Sequence, residues 1–500
     1  MRPRRSSAVA LTATSLPAIA RVAATPNYDR SQLSVGIVHF GVGGFHRAHQ
    51  AMYLDRLMNA GEAHEWAICG VGVMEVDRHM RDALKAQDCL YTLVEKANDG
   101  AHTARVIGSI IDYLYAPDNP QAVIDRLTDE TTRIVSLTVT EGGYSIDDTT
   151  GEFNAATPDV AHDLRPGAVP RSVFGFVTEA LARRRASGLA PFTVVSCDNL
   201  QGNGRLARTA FTTFARMRAP DLGDWIAQTV KFPNSMVDRI TPATTDADRE
   251  ALRSQFAIDD RWPVVCEPFV QWVLEESFSC GRPPYEHAGV EVVDDVEPYE
   301  LVKLRLLNAS HQGLGYFGRL CGYELVHEAA QDHLFRRFLR GYMDEEATPT
   351  LHQELAFDLN AYKSTVIDRF SNPEIRDTLA RVCADSSDRI PKFLVPVVRI
   401  QLARGGEIAR SVAIIASWAR YAEGVDEQGA AINVVDRRRD ALMILARRQH
   451  EDPLAFVANR ELFGDLVDNE RFVTAYLSAL RSLHDRGARA TLEAIVEAHG

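Results

Sequence analysis

The chain has no cysteine pair spaced for a metal ribbon or a redox motif. Its seven cysteines, at 69, 89, 197, 266, 280, 321 and 383, are scattered and odd in number. That pattern excludes a disulfide framework and a zinc ribbon, and it predicts reduced thiols in a cytoplasmic protein. There is no excess of basic residues. The formal charge of −13 is spread along 500 residues rather than gathered in a tail, which argues against nucleic acid as a partner. No run approaches the roughly 18 apolar residues of a membrane span. The N-terminus imitates a signal peptide, with Arg2, Arg4 and Arg5 before Ala8-Val9-Ala10-Leu11. Thr12, Thr14, Ser15, Pro17 and Arg21 then break the apolar stretch too early for export. Internal repeats and low-complexity linkers are also missing. What remains is an ordinary globular composition, 46% hydrophobic and 25% charged, long enough for more than one domain.

The first half alternates strands with helices. Strand patterns fall at 35–40, 66–73, 104–110, 134–140 and 192–197; helical patterns fall at 45–59, 78–86, 121–127 and 172–186. That alternation predicts a parallel sheet wrapped by helices. Beyond Pro298 the pattern is almost wholly helical, over 299–320, 332–345, 373–383, 390–404, 408–422, 436–448, 454–460 and 470–498. The expected organisation is an α/β Rossmann-type domain over 1–290 and a mainly α-helical domain over 291–500.

Gly41-Val42-Gly43-Gly44 follows the first strand and opens a helix. In that context the first glycine permits a tight turn and the second lets the backbone approach a pyrophosphate. The usual third glycine is absent; His46 stands there, with Gly44 placed early. Asp77, past the second strand, is an acceptor for ribose hydroxyls and would repel a 2′-phosphate, so NAD is expected over NADP. Glu75 is a rival for that role, and Arg78 would soften the bias. His46 and His49 have metal-like spacing, but no third ligand lies near them in sequence.

Lys303-Leu-Arg-Leu-Leu-Asn308-Ala-Ser-His311 carries three polar side chains through an apolar helical pattern. At about 100° per residue, Asn308 falls roughly 140° and His311 roughly 80° from Lys303, so all three share one side. Burial disfavours an ammonium ion, and a lysine depressed towards neutrality is a usable general base. Glu141 and Asn199 follow strand ends, where ligands of parallel sheets collect. Asn199 alone reads equally as a turn residue, and Asp238 beside Arg239 as half of a structural ion pair. Arg381, Arg389 and Lys392 are candidates for polyol hydroxyls or a carboxylate.

Together these stretches resemble the polyol-specific long-chain dehydrogenases, the mannitol 2-dehydrogenase family. The likeness rests on Gly41-Val-Gly-Gly-Phe-His-Arg-Ala-His49, Thr140-Glu-Gly-Gly-Tyr144 and Ser196-Cys-Asp-Asn199. It continues in Phe232-Pro-Asn-Ser-Met-Val-Asp238-Arg-Ile-Thr-Pro242, Val265-Cys-Glu-Pro-Phe-Val-Gln-Trp272 and Lys303-x4-Asn308-x2-His311. The resemblance implies metal-independent, NAD-dependent interconversion of mannitol and fructose, with the site between two domains, and it allows a monomer. By motif, Lys303 is the general base and Asn199 with Asn308 holds the reacting oxygen. His311, Asp238, Arg381 and Arg389 position the polyol, and Glu141 serves the proton path. Gly41, Gly43, Gly44, Phe45, His46 and Asp77 form the cofactor motif. Arg389 stands where the resemblance predicts lysine, and Val76 where an acidic residue can occur. A keto-uronate reductase (fructuronate or tagaturonate) and a dehydrogenase of another polyol, such as arabinitol, are the alternatives. A non-catalytic nucleotide-binding protein is the third; it would have no need of a base.

Overall fold

The computed structural model describes residues 8–146, 152–351 and 357–498. The chain divides into two compact units. One runs to Glu297 without Asn98–Gly100; the other takes that short stretch and the chain from Pro298 onward.

The first unit is built on five parallel strands: β1 (Val35–Phe40), β2 (Ala67–Gly72), β3 (Ile110–Tyr115), β4 (Ile134–Leu137) and β5 (Thr193–Ser196). Their order is β3-β2-β1-β4-β5. Every residue of β1, β2, β4 and β5 is buried. This is why those segments read as continuous apolar runs rather than alternating ones: both sheet faces are covered. The order reverses on either side of β1, which makes the carboxyl ends of β1 and β4 the switch point of a dinucleotide-binding sheet. Phe40 pairs with Leu137, and Leu137 with Ser196, so those ends are level.

Two segments depart from expectation. The strand expected over 104–110 is two strands. His102–Ile107 pairs antiparallel with Tyr91–Lys96 in a separate sheet, and only Ile110–Tyr115 joins the parallel one. Gly108 breaks the run: its N–H donates to Asp55 at 2.9 Å, and a Cβ there would lie 2.8 Å from Pro26. The helix expected over 45–59 is interrupted at His49 (φ −126°, ψ −97°), whose ring is hydrogen-bonded to the Gln271 carbonyl at 3.0 Å. The N-terminal segment packs onto this unit. Val9–Ala10 pairs with Ile258–Asp259, and Leu11 and Ile19 are buried against Leu90, Val106 and Val265. Among the described residues, no helix is long and apolar enough to cross a membrane.

The second unit is helical around one core that includes Leu306, Phe317, Phe338, Trp418, Phe463 and Leu492. Its longest element, Glu470–Ala498, packs on Ala409–Tyr421 and breaks at Gly487 (φ 85°, ψ 171°). Leu359–Phe370 is a helix the sequence reading passed over. The pattern over 373–383 contracts to Leu379–Val382, and that over 454–460 is a run of turns before Arg460–Phe463. The expected helix over 299–320 is three pieces: α-helices Glu297–Val302 and Ala309–Leu320 flank a π-helical turn, Lys303–Asn308.

Candidate functional site

At the switch point, Gly41 has φ +89°, a region that L side chains rarely occupy. Its N–H donates to Val71 at 3.3 Å and its carbonyl accepts from Thr138 Oγ1 at 2.6 Å, tying β1 to β2 and β4. A Cβ there would stand 2.1 Å from the Thr138 carbonyl oxygen. Gly43 is different. The nearest atom to a Cβ would be the Gly41 carbonyl oxygen at 3.8 Å, so nothing in the chain requires glycine at that place. The room left at Gly43, at the start of helix Gly44–Ala48 with its unpaired N–H groups, fits a pyrophosphate.

The His46 side chain turns inward. It is 1% exposed, and its ring stacks on His39 of β1 with centroids 3.3 Å apart. The ring supports the loop from within; only its backbone remains available to a phosphate. Phe45 is half-buried and stacks on His49 at 4.8 Å. Arg47, which the sequence reading did not single out, is buried, and its Nε donates to the Gly43 carbonyl at 3.2 Å. Its own carbonyl accepts from Tyr91 Oη at 2.6 Å. No sequence signal set it apart, since it stands among His46, His49 and Gln50.

Asp77 is half-exposed and closes the turn after β2. Its Oδ2 accepts from the Val73 and Met74 N–H groups, both at 2.9 Å. The other oxygen makes no hydrogen bond among the described residues. Glu75 and Arg78 are exposed.

After β4 and β5 the organising residue is Asp198, also missed. It accepts from Val139 N at 3.1 Å, Thr140 N at 2.8 Å and Tyr144 Oη at 2.6 Å. Thr140 has φ +63°, a costly conformation for a β-branched residue, and Asp198 holds it there. Glu141 begins the short turn Glu141–Tyr144, but its side chain lies outside the described residues. Asn199, next to Asp198, is exposed. Asp238 is 6% exposed at the end of strand Ser235–Asp238. The ion pair of Arg239 is with Glu95 at 2.5 Å.

In the second unit the polar trio sits on the π turn. Because π hydrogen bonds run from i to i+5, Lys303 and Asn308 stand one above the other. The regular-helix estimate of roughly 140° between them is therefore corrected. Lys303 is 7% exposed. Arg305 turns elsewhere, donating to the Thr350 carbonyl at 2.5 Å. Asn308 Oδ1 and His311 Nε2 are both buried without a hydrogen-bond partner. The His311 ring stacks on Phe370 at 4.4 Å. Burial pushes its pKa down to about 3; Asp377 opposes the shift, and Arg381 and Arg389 reinforce it. Arg381 is clamped by Asp377 (Nε to Oδ1 2.5 Å), and Arg389 donates to the Val382 carbonyl at 2.9 Å. Helices Leu359–Phe370 and Ser386–Phe393 pack against the π turn.

His39 is likewise pushed down to about 3, by burial first. Below the ordinary histidine value of 6.5 the unfolded chain takes protons that these two folded sites refuse. Stability is therefore expected to fall as pH drops from about 6.5 towards 3, with no contribution from them above that window. Denaturant melts at pH 7, 5 and 4 check this. The His311→Asn variant should lose stability less steeply, and an identical slope would remove His311 from the account.

A family model described as the mannitol dehydrogenase Rossmann domain matches residues 35–287, and one described as the mannitol dehydrogenase C-terminal domain matches 295–484. A mannitol 2-dehydrogenase of Phaeosphaeria nodorum is 47% identical over 93% of this chain and 82% of its own. One of Aspergillus fumigatus is 46% identical over 93% and 94%. Among solved structures, the Pseudomonas fluorescens mannitol 2-dehydrogenase in ternary complex with NAD and D-mannitol aligns with a TM-score of 0.88 and 47% identity, covering 98% of this chain and 100% of that one. A substrate-free D-sorbitol dehydrogenase aligns with a TM-score of 0.90 and 39% identity, over 96% and 100%.

Proposed function

This chain belongs to the mannitol dehydrogenase family, and from that premise we propose that it interconverts D-mannitol and D-fructose by hydride transfer at C2, with NAD as cofactor. One observation carries the reading: a solved relative matching nearly the whole of both chains holds NAD and D-mannitol together. The open space at Gly43 and the unpaired oxygen of Asp77 support the cofactor. Bound NAD supplies the hydride acceptor.

Lys303 acts as general base, its neutral amine taking the proton from the C2 hydroxyl. In the reverse direction its ammonium form protonates the fructose carbonyl oxygen. Asn199 and Asn308 donate to that oxygen as negative charge develops on it, as preorganised amides do in an oxyanion hole. The amide of Asn308 offers a donor at the buried point after a half-turn about its last torsion. His311, held neutral, offers Nε2 to a substrate hydroxyl. Asp238, Arg381 and Arg389 fix the remaining hydroxyls, and Glu141 passes the proton to solvent. We take it to work in the cytoplasm, and the family resemblance allows a monomer.

Because Asp377 neutralises Arg381, a second carboxylate finds less attraction there, which favours a polyol over a uronate. The test is a panel of fructose, fructuronate, D-sorbitol and D-arabinitol with each nicotinamide cofactor. Fructose with NADH is expected to lead, and Asp77→Ala to narrow the preference for NAD over NADP. Fructuronate outpacing fructose would replace this reading with the uronate one. Equal use of NADP by the wild type would overturn the role of Asp77.

Asn199→Ala and Asn308→Ala are each expected to lower kcat by about 10²–10³ while leaving NADH affinity near wild type. An alanine variant with full kcat would reduce that asparagine to a turn or helix residue.

A further inference from the structure

Glu423, His450 and His484 converge in the second unit, and the reaction proposed above uses none of them. Glu423 follows helix Ala409–Tyr421, His450 follows Arg439–Arg448, and His484 lies on Glu470–Ala498 just before its break at Gly487. One carboxylate oxygen and one ring nitrogen from each histidine fall within 4.8 Å of one another. His484 Nε2 is 2.7 Å from Glu423 Oε1, and His450 Nε2 is 3.6 Å from Oε2.

Two features separate this cluster from an ordinary surface ion pair. The Glu423 side chain is only 6% exposed, and its carboxylate is oriented by Arg420 Nη1 at 3.2 Å from Oε2. Ligating carboxylates commonly have an outer partner of this kind. The two imidazoles stack with centroids 4.8 Å apart, both presenting Nε2 to one carboxylate. Protonating both rings would place two positive charges face to face, beside Arg420. With neutral rings the two lone pairs and the carboxylate are a ready donor set for one cation. Ligand atoms around a zinc ion at about 2.0 Å lie at most roughly 4 Å apart. His450, 61% exposed, is free to swing by the small amount that closes the set.

We propose that Glu423, His450 and His484 bind one divalent transition-metal ion of the imidazole-preferring class, zinc foremost. Two nitrogens and one carboxylate oxygen with water in the fourth place suit zinc, nickel or copper rather than magnesium or calcium. The ion staples the long C-terminal helix and the turn after Arg448 to the end of helix Ala409–Tyr421. Its role is to hold this end of the unit together, not to take part in hydride transfer.

The test uses the full chain, stripped with a chelator and titrated with zinc. Equilibrium dialysis is expected to show one bound ion per chain, absent in His450→Ala and His484→Ala. Wild-type Tm is expected to rise by about 5 °C at zinc 100-fold above Kd, with no rise in either variant. Cobalt in place of zinc is expected to give a visible spectrum without a thiolate charge-transfer band. Stripped and reloaded enzyme are expected to turn over equally. His450 is exposed, so its alanine variant folds regardless of the outcome. Uptake unchanged in His450→Ala, a thiolate band, no uptake at all, or turnover that depends on the ion would each overturn the proposal.

Discussion

Lys303→Ala is expected to lose at least about 10²–10⁴ of the rate of mannitol oxidation, the range a positioned general base supplies. The side chain is almost wholly buried on a turn whose neighbours are Leu304, Leu306 and Leu307. Burial penalises the ammonium form and leaves the amine untouched. On the role proposed for Lys303, oxidation needs the neutral amine, so its rate is expected to rise with pH and level off. Fructose reduction needs the charged amine, so its rate is expected to fall over the same range. His311 is not a competing source of that profile, since it stays neutral down to about 3. A small exogenous amine should restore part of the lost rate at high pH. An alanine variant with near wild-type turnover and an unchanged pH profile would end the role assigned to Lys303.

The second large effect is at Gly41. Gly41→Ala forces a Cβ to 2.1 Å from the Thr138 carbonyl oxygen at a φ of +89°. Left-handed backbone and overpacking together cost about 2–5 kcal/mol. The variant is expected to melt early and to lose NADH binding with it. Gly43→Ala is the informative partner. Its Cβ meets nothing closer than 3.8 Å, so the protein should keep its Tm, yet NADH affinity should drop because the methyl occupies room meant for phosphate. Thermal melts with fluorescence titration of NADH separate the two. If Gly43→Ala bound NADH as well as wild type, the loop would be an ordinary strand–helix turn.

The parallel sheet was legible because its strands are covered on both faces and so are uniformly apolar. The separate sheet containing His102–Ile107 was not, since one β-rich run there serves two sheets and only Gly108 marks the break. Lys303, Asn308 and His311 were visible as polar residues in an apolar helix. Their mutual geometry was not, because a hydrophobic pattern cannot tell a π turn from an α turn over six residues. Asp77 could be picked out, but not that one of its oxygens is already committed to Val73 and Met74. Asp198 was overlooked in favour of its neighbour, since a carboxylate accepting backbone N–H groups looks in sequence like any turn aspartate. His46 was placed with the phosphates by spacing; only the stack on His39 reveals that the ring faces inward.

The wide turn at Lys303–Asn308 amounts to one residue too many for a regular helix. Deleting a single residue between Leu304 and Leu307 would let the chain close into a continuous α-helix with its propensity intact. Asn308 would then stand four residues from Lys303, about 40° round a regular helix, so amine and amide would still share a face. Such a variant would keep its helical signal, its apolar composition and the alignment of amine and amide together. A turn that regularised without losing a residue would behave differently, because Asn308 would then fall roughly 140° from Lys303.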